Sequence, residues 1–163
     1  MSLPAYAYLY DENGVQITGN CKVLGREGSI EIMSSSYGVS QPVSSHTGRM
    51  EGTRQHEAFT IHKQTDKSSP ILANAVCLSK RLQQMVIHYY ETNDAGIEKE
   101  IYRITLGDVV VMFVNVSHTY ISGSNSPNMI ESIGFRFNSI EWFYLDGLIK
   151  CDDAWSKAPS KSE

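Results

Sequence analysis

Long apolar runs are missing from this 163-residue chain, and none approaches the roughly 18 residues that a membrane-spanning helix needs. Cysteine is scarce: Cys21, Cys77 and Cys151 are odd in number, widely spaced and form no CxxC pair. A disulfide framework is therefore not what organises the chain, and reduced thiols are expected. Basic residues are in the minority, 14 Lys and Arg against 18 Asp and Glu, for a formal net charge of -4. A chain without a basic face is a poor general binder of nucleic acid or anionic membrane. The start, MSLPAYAYLYDENG, lacks a basic segment followed by an apolar one and a cleavage site. No secretory signal peptide is expected, and export would need another route. Phosphate-binding glycine motifs and the G-x-S-x-G elbow of serine hydrolases are absent as well.

What is present suits one domain. Hydrophobic residues make up 41% and charged residues 20%, enough for a real core. A single domain is expected over residues 1–155, followed by a solvated tail at 156–163. Tyr6, Tyr8 and Tyr10 alternate with Ala5, Ala7 and Leu9, the period of a strand, before a turn at Asn13-Gly14. Residues 21–24 read as extended. In 30–37, Ile30 and Ile32 share a side with Ser34 and Ser36 on an ideal strand, so one face turns from apolar to hydroxylated. Ser69 reads as a helix N-cap with Pro70 at the first helical position, and Ile71, Leu72, Ala75, Val76, Ser79 and Leu82 follow as one stripe. From Gln84 the period returns to two, with a hairpin loop at 92–96, a strand over 98–106 broken at Gly107-Asp108, a valine-rich strand over 109–120 and an exposed loop at 122–128. Strands follow over 129–137 and 140–144, and a turn at Asp146-Gly147 leads to a last short strand. Roughly eight or nine strands joined by turns, with one helix, predict an antiparallel barrel or sandwich.

Chemistry is hard to find. His56 and His62 fall on one side of an ideal strand but too far apart to share a metal directly, with no acid or cysteine at ligand spacing beside them. Ser117 and His118 are neighbours and so face opposite ways. Asp152-Asp153 and the pair Glu98 and Glu100 read as solvated carboxylates. No catalytic residue, metal site or cofactor is expected. The stretch that compactness does not explain is 44–63, SSHTGRMEGTRQHEAFTIHK. Its first half is polar and bends at Gly48 and Gly52; its second half alternates, with Phe59 and Ile61 on one side and Ala58, Thr60 and His62 on the other. Long polar loops in small domains are commonly functional or disordered, and we read this one as an arm reaching another copy of the chain.

Several stretches together carry a resemblance: PAYAYLY near the start, REGSIEI at 26–32, TGRMEGTRQHEAF at 47–59, DKSSPILANAV at 66–76, NDAG at 93–96 and SIEWFYLDGLIKCDDAW at 139–155. In this order they resemble the Hcp family, the tube subunits of bacterial type VI secretion systems. The resemblance implies a mainly β fold: a small antiparallel β-barrel of two sheets, one α-helix packed alongside and an extended loop, as in phage tail-tube proteins. It also implies a homohexameric ring, rings stacked into a tube, partnership with a spike protein and a contractile sheath, and effector proteins carried in the lumen. The protein would wait in the bacterial cytoplasm and be secreted on firing, and the end at Glu163 would leave no fused toxin domain. On this reading Glu27, Glu31, Thr47, Gly48, Arg49, Gly52, Thr53, Arg54 and His56 are candidate interface residues, with Arg49 and Arg54 as partners for Glu27 or Glu31 of an adjacent copy. Ser34 and Ser36 are candidates for the lumen wall. The competing readings are a lipocalin-like barrel carrying a small ligand, and an enzyme with its site in a cleft between subunits.

Overall fold

The computed structural model describes residues 3–120, 122–123, 125 and 129–157. Among these residues eleven strands and one helix follow in order: β1 (Ala5–Tyr10), β2 (Gln16–Ile17), β3 (Ile30–Ile32), β4 (Ser34–Ser36), β5 (Val39–Ser40), β6 (Gln55–His56), β7 (Phe59–Gln64), α1 (Ser69–Cys77), β8 (Arg81–Thr92), β9 (Glu98–His118), β10 (Met129–Tyr144) and β11 (Ile149–Ala154). Nine strands form one sheet and β5 and β6 a separate ribbon. All pairings are antiparallel, as the turn-linked strands predict.

The sheet closes on itself. Strands β1, β8, β9, β10 and β7 pair in that order, and the short run 30–36 bridges the gap, β3 on β1 and β4 on β7. A corner at Met33 makes this possible: its N–H leaves the β3 ladder and donates to the His62 carbonyl at 2.8 Å. The corner also corrects the expected facing of this run. One residue is absorbed at the bend, so Ile30 and Ile32 point into the barrel but Ser34 and Ser36 do not. Ser35 turns inward instead, its hydroxyl 2.9 Å from the Tyr89 hydroxyl.

The barrel interior is filled. Leu9, Ile30, Ile61, Met85, Ile87, Leu106, Ile133 and Phe135 are fully buried, and α1 adds Leu72 and Ala75. Among the described residues these side chains fill the space between the strands, and the carrier-barrel alternative is not supported. The predicted alternation holds in β1, where Ala5, Ala7 and Leu9 face the core. Tyr6 is nonetheless buried on the outer side. The loop before β3 folds back, and Arg26 lies over the rings of Tyr90 and Tyr6 at 3.6 and 4.8 Å while pairing with Glu98.

Other expectations shift. Residues 21–24 form no strand: hydrogen bonds from Gly19 to Gly28 and from Gly28 to Cys21 close a loop there. The N-cap position falls at Ser68, one residue earlier than expected and without a side-chain cap: its hydroxyl bonds Asp66, while the Ser69 hydroxyl joins a buried polar cluster. Gly107-Asp108 does not end a strand either. Asp108 takes φ 52 and is left unpaired, but β9 pairs with β8 and β10 on both sides of it in unbroken register. The 122–128 loop and the 156–163 tail lie largely outside the described residues.

Candidate functional site

Strands β4, β7, β10 and β9 form a four-strand wall on one side of the barrel. Cross-strand partners share a face, so the register gives its outer surface directly. One row runs Ser34, His62, Ser132, Asn115 and the next Ser36, Thr60, Gly134, Phe113. A third sets Gln64 against Ile130 and Ser117. None of the three rows contains Lys, Arg, Asp or Glu. Ser34 and His62 are joined at 2.9 Å through Oγ and Nδ1. Gly134 is needed where it stands: a Cβ there would lie 2.2 Å from the Phe113 ring, which crosses the position. At its margins the wall is unfinished. Among the described residues, β4 pairs only with β7, and β9 beyond Val110 pairs only with β10.

The arm is a thin hairpin that starts earlier than 44. Val39 and Ser40 pair with His56 and Gln55, a bridge joins Val43 and Met50, and a turn held by Ser44 and Arg49 closes the tip. Gly48 and Gly52 take φ 68 and 76, the left-handed region that suits glycine. Val39, Val43 and Met50 are exposed, Met50 by 79%. From Phe59 on the predicted alternation holds, with Phe59 and Ile61 buried and Thr60 and His62 outward.

The base of the arm is bolted down. Arg54 donates from Nε and Nη2 to both oxygens of Asp153 in β11, at 2.8 and 3.0 Å, and from Nη2 to the Ala154 carbonyl. The buried His56 ring places Nε2 2.7 Å from Asp153 and Nδ1 2.7 Å from the Tyr37 hydroxyl. The hydrogen bonds from Arg54 hold the Asp153 carboxyl down at about 2, with His56 adding to the effect against the opposing cost of burial. Burial, then the Asp153 charge, pushes Tyr37 up to about 12. Tyr37 therefore keeps its proton, and the His56 ring links its hydroxyl to the Asp153 carboxylate. Trp155 packs edge-on against His56 and donates its indole N–H to the Phe137 carbonyl at 2.8 Å.

The family described as "Type VI secretion system effector, Hcp" matches residues 8–144. The chain belongs to the Hcp family. A solved Hcp1 from E. coli EAEC 042 is 35% identical, with a TM-score of 0.85 over 94% of this chain and 99% of that one. The "Major exported protein" of Pseudomonas aeruginosa PAO1 is 26% identical over 141 residues, 83% of this chain and 80% of its own. The secreted protein Hcp3 of the same species shares the fold, with a TM-score of 0.77 at 21% identity over 96% of this chain and 100% of that one.

In this Hcp chain the sequence-derived candidates fall into separate groups. Ser34 and Ser36 stand together on the polar wall. Thr47, Gly48, Arg49, Gly52 and Thr53 are exposed along the arm, while Glu27 and Glu31 are exposed on the far side of the β3 corner. Arg54 and His56 are both engaged within their own chain by Asp153. Asp153 and Tyr37 were missed. Nothing local distinguishes Asp153 from Asp152, whose side chain is largely exposed. A second His–carboxylate contact, His88 to Glu100 at 2.6 Å, is likewise shared with an arginine, Arg103. Among the described residues no group of three or more His, Cys, Asp or Glu is arranged to hold a metal.

Proposed function

We propose that this Hcp protein is a structural tube subunit of type VI secretion rather than an enzyme. Copies join side by side into a closed ring of six, the number the family resemblance implies, and rings stack into a tube. The observation that carries this reading is the four-strand wall, whose three rows around Ser34, Ser36 and Gln64 carry no charged side chain and which, among the described residues, is bounded by two unpaired edges. Open edges are hazards unless covered. The edge at β4 and the edge at β9 are different surfaces, so joining one to the other is a head-to-tail contact that closes when the rotation allows. The polar wall then faces the channel, with Ser34 and Ser36 on it, and effector proteins travel inside. The arm adds contact to a neighbouring copy. The protein waits in the cytoplasm and is pushed out with the spike by the sheath; the relative named as an exported protein supports export.

Native mass spectrometry of the purified protein at micromolar concentration tests the reading. A dominant hexamer is expected, and a strict monomer overturns it. Ser36→Gln is expected to leave the hexamer intact and alter retention of a co-expressed effector. Loss of the hexamer in that variant removes Ser36 from the channel wall.

A further inference from the structure

We infer that Asp153 is a positioning residue for the arm: one carboxylate on the last strand grips both ends of the hairpin and sets its direction. Tyr37 stands where the arm leaves the barrel, and Arg54 and His56 where it returns. All three converge on Asp153, Arg54 and His56 directly and Tyr37 through the His56 ring. Arg136 adds a bond to the His56 carbonyl at 3.3 Å, so β10 braces the same point. Beyond this base the arm has little to hold it. Its ladder is two residue pairs and one isolated bridge, and its apolar side chains are exposed. A hairpin this slight is marginal alone in water, and its orientation must come from the base. Asp153 arrives 97 residues after His56 in sequence, so the end of the domain governs an element near its middle.

The inference rests on the arm's proposed role between copies, and trypsin separates the two. The arm carries two cleavage sites, Arg49 at the exposed tip and Arg54 inside the clamp. In the unmodified protein Arg49 is expected to be cut and Arg54 protected. In Asp153→Asn, whose core is untouched, the rate at Arg54 relative to Arg49 is expected to rise about tenfold, because cleavage follows the population of the opened form. The hexamer is expected to weaken in parallel on native mass spectrometry. An unchanged ratio in Asp153→Asn and in Asp153→Ala overturns the clamp. A raised ratio with the hexamer fully retained supports the clamp and removes the arm from ring assembly. Tyr37→Phe, which deletes only the hydroxyl, keeps the test decisive if Asp153→Ala does not fold: a smaller rise in the same ratio is expected, and none overturns the inference.

Discussion

Lys63 is the most informative residue to change. It is 0% exposed, and its ammonium lies 2.7 Å from Glu131, 2.9 Å from Asp66, 3.0 Å from the Ser69 hydroxyl and 3.2 Å from the Gln64 carbonyl. Lys63→Met keeps the aliphatic stem and so creates little cavity, but it leaves the Glu131 carboxylate, 2% exposed, with only the Ser69 hydroxyl among the described residues. Breaking one side of a buried ion pair costs about 3–5 kcal/mol. That is a large part of the roughly 5–15 kcal/mol that holds a domain together. For a chain of this size it corresponds to a fall in Tm of about 6–20 °C. Urea unfolding at fixed protein concentration measures it, with Lys63→Met/Glu131→Leu as the control. Replacing both members of a buried pair with apolar groups is often close to neutral, so the double variant is expected to recover more than half of the loss. A single variant costing under about 1 kcal/mol, against the 3–5 expected for a broken pair, refutes the reasoning. So does a double variant no better than the single.

Acid should act through the arm clamp. Asp153 is held at about 2 in the fold, below the ordinary carboxylate value of 3.8. A depressed pKa contributes stability that is complete above the unfolded value and lost as pH falls through the folded one. The stability gap between the unmodified protein and Asp153→Asn is therefore expected to be constant above about pH 5 and to shrink between about 4 and 2; thermal melts across that range check it, and a constant gap contradicts it. Asp66 acts in the same direction: burial works to raise it, but bonds from Ser68 and Lys63 outweigh burial and leave it lowered. Gly134→Ala is expected to cost about 1–3 kcal/mol by driving the Phe113 ring off the wall. Phe113→Ala in the same chain should relieve most of that cost, and urea unfolding of the three variants decides it.

Strand periodicity made much of the barrel legible. The inward sets Ala5, Ala7 and Leu9 of β1, Phe59 and Ile61 of β7, and Met85 and Ile87 of β8 are all readable as alternation, because a strand that buries one face must repeat every second residue. The failures share a cause. Alternation assumes an unbroken ladder, and at Met33 the chain changes partner from β1 to β7, so Ser34 and Ser36 leave the side that Ile30 and Ile32 occupy. At Asp108 the reverse happened: a local break signal was overridden by long ladders on both sides. The polar wall was half visible through its serines. Its other members, Thr60, His62, Ser132 and Asn115, join them only through register.

By itself the sequence determined the class of fold, the absence of a membrane-spanning helix pattern, the existence of the arm and the family likeness, since all of these live in composition, period and local order. Tertiary structure decided which charges meet. Lys63 sits two residues beyond Ile61 on the inward side of its strand, where a lysine reads only as the end of an apolar pattern. Folding brings Glu131 opposite it and makes it the centre of a buried cluster. Asp153 likewise looks like one of two solvated carboxylates until β11 lies beside the base of the arm. Pairing of charges distant in sequence depends on where the backbone returns, and that is a property of the closed barrel.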